Sequence, residues 1–287
     1  MVFFRFLFSN LSYIIWFVLY FYITWAIFGA DLNSFIFVSI AYGGSIAIAL
    51  SPVGEILLRF IENCREPSTQ EERDYLLPMF EEVFQDALAI NPKLNKGIKI
   101  YIMDAMYVNA FAIGRKTIAV TRGALATFTR DELKGVLAHE LGHMTYGHTK
   151  ALLLAVIGNF FFSGLVWVFR LLLRIIMAIS VLVAHFNIIG IIFTFMTFVL
   201  KIMVEVLLFV FVHLGQIILS LNSRDNEIQA DTFTYEMGYG RELVSALYLL
   251  QKISVGGKVK LSHKIKATHP HIAYRIRYLE EMERQGL

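Results

Sequence analysis

VLAHELGHMTYGH, residues Val136 to His148, places two histidines four positions apart with a glutamate beside the first. On an α-helix, residues four apart are offset by ~40° and roughly one turn, so His139 and His143 project from one face. Two neutral imidazoles so arranged can reach a single metal ion. Glu140 sits ~100° around from His139, beside such an ion, where it can move a proton to and from a water molecule. Gly142 keeps the surface near the ligands uncrowded, although a helical glycine costs about 1 kcal/mol of propensity. Thr129-Arg130-Asp131-Glu132 has the spacing of a capping box that opens this helix. Leu133, Val136, Leu137 and Leu141 give it an apolar stripe. The pattern runs on through Lys150 toward an apolar stretch. On a helix that continuous, His148 lies about 140° from His143, too far around to share its metal ion.

The rest of the chain decides where such a site can sit. Of 287 residues, 57% are hydrophobic and 17% charged. Soluble domains carry about 25% charged residues, so the composition is that of an integral membrane protein. A net charge of +3 is too small and scattered for a nucleic-acid partner. The single cysteine, Cys64, cannot form an internal disulfide and reads as an unreactive buried thiol. Apolar runs at Leu11–Phe28 and Phe35–Leu58 each approach the ~20 residues that cross ~30 Å of hydrocarbon. The first has no small-residue cleavage site and reads as a retained anchor. Their link, Gly29–Asn33, holds Asp31 and no basic residue, whereas Arg5 precedes the first run and Arg59 and Arg65 follow the second. The positive-inside rule puts the N-terminus and the segment after Arg59 in the cytoplasm.

Four sections result: two membrane helices in 1–58, a catalytic part in 59–150, two further membrane helices in 151–221, and a helical part in 222–287 that completes the site. In the second, Ser68-Thr69-Gln70-Glu71 has capping-box spacing and starts a helix to about Ile90, ended by Asn91-Pro92. The runs IKIYIM (Ile98–Met103), VNAFAIG (Val108–Gly114) and TIAVT (Thr117–Thr121) predict a small sheet with a turn at Gly114-Arg115-Lys116. Between Ala151 and Leu221 the only charges are Arg170, Arg174, Lys201 and Glu205. Two crossings are expected there, near Leu152–Phe169 and Gly190–Leu214, with Leu171–Ile189 as an interfacial hairpin and Lys201 neutralising Glu205.

A third ligand is available in SRDNEIQAD, Ser223–Asp231, where Glu227 and Asp231 again share a helical face. Two histidines and one glutamate leave a fourth coordination position open, the catalytic pattern for zinc. Asp231 is placed to accept the free ring N–H of a ligand histidine. Sharing one ion between His143 and Glu227 requires an even number of crossings between them.

H-E-L-G-H followed after two spans by S-R-x-x-E-x-x-A-D resembles the HtpX-type membrane zinc metalloproteases, relatives of the CAAX prenyl-protein proteases. Asn109-Ala110-Phe111-Ala112-Ile113-Gly114 is similar to that family's edge strand, and Thr121-Arg122-Gly123-Ala124-Leu125 to its lead-in to the catalytic helix. Thr268-His269-Pro270, with Arg275 six residues after His269, is similar to its C-terminal element, with His271 standing where a second proline is usual and available for the same role. The resemblance implies one Zn2+ per chain on His139, His143 and Glu227, with Glu140 as general base and Asp231 orienting a ligand. It also implies that His269 and Arg275 support the oxyanion, and that Asn109, Ala110, Phe111 and Ala112 pair with substrate backbone.

The expected fold is a mostly α integral membrane protein with about four transmembrane helices and a small α+β zincin-like (gluzincin) catalytic domain. The expected activity is endoproteolysis of misfolded or damaged membrane proteins, in quality control and stress response. It is placed in the plasma or inner membrane, with the active site facing the cytoplasm. Polypeptides and the lipid bilayer are the expected partners, alongside other membrane quality-control proteases. A CAAX-type processing protease and a non-enzymatic membrane scaffold are the alternatives. A structural zinc site would be closed by four protein ligands, and the sequence supplies three good ones.

Overall fold

In a computed structural model, described over residues 11–154, 160–185, 188–220, 223–256 and 272–286, the chain forms two compact units. One comprises Leu11–Ser45 and Gly158–Leu221; the other includes Ile46–Ile157 and Asn222–Leu287.

The first unit is helical and apolar. Helix α1 covers Leu11–Ile27, α2 begins at Leu32 and runs to Leu50 in the second unit, α8 covers Phe160–Ala184 and α9 Ile188–Ser220. Among the described residues, three helices are long and apolar enough to cross a membrane, at Leu32–Leu50, Ser163–Ala184 and Ile188–Val210, and Ile14–Ile27 is a shorter apolar one. About four spans, the expected number, fits. Trp16, Tyr20, Val38 and Tyr42 form the unit's buried cluster, and the Thr24 and Tyr42 hydroxyls meet at 3.1 Å. Two expectations need correction. Leu171–Ala184 is not a separate hairpin: it continues α8, because nothing in FRLLLRIIMAIS breaks a helix before the turn at His185. Glu205 bonds Arg170 on the neighbouring helix at 2.7 Å, in place of Lys201 on its own. The antiparallel α8–α9 pair brings these opposite charges together in apolar surroundings, where an unpaired charge is costly.

The second unit carries the chemistry. Ser51-Pro52 interrupts the second apolar run: Ser51 caps α3 (Pro52–Ile61), accepting the Val53 N–H, and Pro52 takes the first helical turn, where its missing N–H costs nothing. A four-stranded sheet of order β1-β2-β4-β3 follows, built from Cys64–Arg65, Lys99–Met103, Thr117–Thr121 and Ala110–Ile113 respectively. Strands β2 and β4 are parallel, and β3 pairs antiparallel with β4 at the sheet edge. Helix α4 (Gln70–Ile90) starts one residue later than expected: its box joins Thr69 to Glu72, and the Ser68 N–H donates to Glu72 as well. Arg65 donates to both Glu72 and Asp104, and Arg122 also bonds Asp104, so one ionic cluster ties β1 and α4 to the segments after β2 and β4. Helix α5 is Arg122–Thr127, capped by Thr121, and α6, the motif helix, is Arg130–Tyr146. Leu76, Met79, Val83 and Phe84 of α4 share one core with Ile100, Ile102, Ile118, Val120, Leu133, Leu137 and Leu141. Burying such side chains is worth roughly 1.5–3 kcal/mol each, and this fixes α6 against the sheet. Cys64 is half-buried, and burial with the nearby Glu62 charge pushes its thiol up to about 11, as an inert thiol requires.

Candidate metal centre

The capping box at Thr129 is present as expected: Thr129 accepts the Glu132 N–H and Glu132 accepts the Thr129 N–H at 2.9 Å. Helix α6 does not run through Lys150. It stops at Tyr146, with Gly147 in the left-handed region at φ 78°, and α7 (His148–Leu153) starts in a new direction. Helix α10 (Ser223–Glu236) lies across α6 at Gly142. A Cβ there would stand 2.9 Å from Ala230 Cα, so the glycine serves a helix crossing as well as an uncrowded surface. Helix α11 (Gly240–Gly256) crosses in the same way at Gly135, where a Cβ would lie 2.5 Å from the Leu243 nitrogen.

This crossing brings Glu227 to the two histidines. His139 Nε2 and His143 Nε2 lie 3.1 Å apart, and the Glu227 carboxylate is 3.4 Å from the first and 3.5 Å from the second. Three ligands bound tetrahedrally at ~2.0–2.1 Å stand ~3.3 Å from one another. The observed separations match that spacing, so the donor set fits one divalent ion. All three residues are buried. Burial holds the His143 imidazole neutral, with its pKa below the usual value despite Glu227, and a neutral ring is the form that binds metal.

A second layer holds the donors. His139 Nδ1 lies 2.9 Å from Asp231, four residues past Glu227 on the same helix. Arg275, on α12 (Ile272–Gln285), is 2% exposed. It donates from Nε and Nη2 to the two Asp231 oxygens at 2.8 and 2.7 Å, and its Nη1 lies 2.8 Å from Glu227. All three guanidinium nitrogens therefore serve carboxylates of the centre. Burial would raise the Asp231 carboxyl, but Arg275 and His139 outweigh it and hold it below the usual range. His269 and His271 lie outside the described residues.

The break at Gly147 changes the place of His148. Its Nδ1 is 3.0 Å from His143 Nδ1, and its ring contacts that of His143. Burial and the neighbouring His143 push its pKa down to about 3.

On the other side of Glu140 runs the edge strand. Thr121 Oγ1 accepts the Asn109 N–H, and Thr121 N–H donates to Asn109 O, so Asn109 faces β4. By the two-residue alternation, Phe111 and Ile113 also face β4, and Ala110 and Ala112 turn their backbone groups to the side on which no further strand pairs among the described residues. The Ala112 N–H donates to Glu140 Oε2 at 2.9 Å. The strand is held from behind by Glu55, a residue that sequence reading did not single out. Glu55 accepts the Arg115 and Lys116 N–H groups at 3.1 and 3.0 Å and the Thr117 hydroxyl at 2.7 Å. Beside Glu140, Val108, Phe128, Val136, Leu243, Leu247 and Leu250 line an apolar groove that reaches Asn109 and Ala110.

An H-E-x-x-H helix, a carboxylate from a later helix within reach of both histidines, and a strand edge beside the glutamate together form a site that could hold a metal ion. The chain belongs to peptidase family M48, whose model matches residues 72–283. It is 36% identical over 145 residues to the protein named Protease HtpX homolog of Thermoanaerobacter pseudethanolicus, covering 48% of this chain and 43% of that one. Protease HtpX of Pseudomonas syringae pv. syringae is 36% identical over 109 residues, 35% of each chain. These alignments span less than half the length of those relatives. The crystal structure of S. mikatae Ste24p aligns with a TM-score of 0.46 at 21% identity, over 94% of this chain and 63% of that one.

Proposed function

We propose that this chain is a zinc endopeptidase that cuts extended segments of membrane proteins at the cytoplasmic surface. The carrying observation is the convergence of His139, His143 and Glu227 within bonding reach of one ion, with Glu140 hydrogen-bonded to the edge strand. Zinc is favoured by the donor set of two imidazoles and a carboxylate, which leaves a fourth position open. When bound, zinc supplies Lewis acidity to a peptide carbonyl and makes water a better nucleophile.

The chain's own residues do the rest. The Ala110 backbone groups and the Ala112 carbonyl face the side where an incoming strand would pair, which aligns a substrate without reading its sequence. Glu140 takes the proton of the attacking water and returns it to the departing amine nitrogen. The adjoining apolar groove favours a hydrophobic residue beside the cut bond. Segments that are apolar, extended and exposed belong to misfolded membrane proteins, and this supports a quality-control role. The basic residues Arg59 and Arg65 support the cytoplasmic placement.

The test is the Glu140→Gln protein, purified in detergent with zinc and assayed on an unfolded polypeptide. It keeps stoichiometric zinc and loses about 10²–10⁴-fold in kcat, the contribution of a positioned acid–base group. Undiminished cleavage would refute the mechanism.

A further inference from the structure

We propose that His148 is a positioning residue for the metal centre: it accepts the Nδ1 proton of His143 and so holds that ligand in the tautomer that presents Nε2 to the ion. The inference rests on the His139, His143 and Glu227 ligand set.

The argument begins with proton bookkeeping on the two ligand rings. A histidine that gives its Nε2 lone pair to a metal keeps its proton on Nδ1, and that N–H needs an acceptor once it is buried. For His139 the acceptor is Asp231, at 2.9 Å. For His143 the group facing Nδ1 is His148 Nδ1, at 3.0 Å. Two nitrogens at that distance share one hydrogen, so His143 donates and His148 accepts, leaving the His148 proton on its Nε2. The Gln229 side chain neighbours the same imidazole. Gln229 lies on α10 between Glu227 and Asp231, so the line from His143 through His148 to Gln229 ends on the helix that supplies the third ligand.

The backbone explains why His148 is there. On a continuous helix it would lie about 140° from His143. With Gly147 at φ 78°, the chain turns and starts α7 beside the ring it has just passed. A residue with a side chain would be strained in that conformation, and glycine is not. His148 meets His143 on the Nδ1 side, whereas the donor atoms that gather for an ion belong to His139, His143 and Glu227.

The experiment measures zinc affinity of the full chain in detergent, by competition with a chelator of known strength. His148→Leu removes the acceptor and keeps bulk; His148→Asn returns an oxygen near the position of Nδ1. We expect the first to weaken zinc binding 10–100-fold, the usual effect of losing a ligand's outer partner, and the second to recover at least half of that loss on a logarithmic scale. Wild-type affinity in His148→Leu overturns the proposal. So does recovery below half in His148→Asn, which would make the ring a packing element or a ligand. If His148→Leu does not fold, His148→Ala replaces it in the same comparison. A wild-type chain that binds no zinc would instead overturn the ligand set on which the proposal rests.

Discussion

Gly142→Ala tests whether the crossing of α6 and α10 sets the metal geometry. The added Cβ would lie 2.9 Å from Ala230 Cα, 3.0 Å from Ala230 O and 3.2 Å from Ala230 Cβ. Carbon atoms rest at about 3.5–4.0 Å, so the helices must part by roughly 0.5–1 Å. Helix propensity favours the alanine by ~1 kcal/mol, whereas overpacking of a tight interface costs ~1–3 kcal/mol. The two terms leave the metal-free fold between unchanged and ~2 kcal/mol less stable. The metal is affected more sharply. His139 and His143 ride on one helix and Glu227 on the other, and metal–ligand distances tolerate only about 0.2 Å. Zinc affinity is expected to fall at least tenfold, equivalent to ~1.4 kcal/mol. Gly44→Ala is the control, because nothing lies within 4 Å of its Cβ position. Thermal unfolding of the metal-free proteins and chelator competition separate the two effects. A Gly142→Ala protein that binds zinc as tightly as wild type would refute the account.

Glu55→Leu strands two backbone N–H groups and the Thr117 hydroxyl. At ~1–3 kcal/mol for each buried unsatisfied group, thermal unfolding should show a loss of at least ~2 kcal/mol, with KM for an unfolded polypeptide rising as the edge strand loosens. Arg275→Met removes the cation shared by two buried carboxylates; the metal-free protein should lose ~3–5 kcal/mol, and Arg275→Lys should not restore it because it lacks the planar fork. Arg65 first, and the Ser68 N–H after it, hold Glu72 well below the usual carboxylate range, and Arg65 and Arg122 lower Asp104 as well. A depressed folded-state pKa gives stability that is present above the unfolded value and lost as pH falls through the folded one. Acid titration of unfolding should therefore show stability falling below about pH 4.5, with a shallower slope in Glu72→Gln.

Much of the centre was legible because its spacing is helical. His139 and His143, and Glu227 and Asp231, are pairs four apart, and a period near 3.6 makes each pair converge whatever surrounds it. The strands were legible from β-branched runs and the turn at Gly114. Legibility ended wherever a single residue changed the direction of the chain. Serine and proline at 51 and 52 are apolar or small enough to hide inside a hydrophobic run, so one predicted span from Phe35 to Leu58 became α2 and α3, and Glu55 on α3 went unnoticed as a latch. Gly147 did the same for His148. The angle of 140° was correct for a continuous helix, and the error lay in assuming one. A glycine after a tyrosine at the end of a periodic stretch is a stop signal that the sequence displays. The carboxylates that Arg275 contacts could not be chosen before the crossing at Gly142 and Ala230 was known. The His139/His143 and Glu227/Asp231 pairs follow from local periodicity, whereas the way they meet depends on how helices end and cross, which is where a single sequence is least informative.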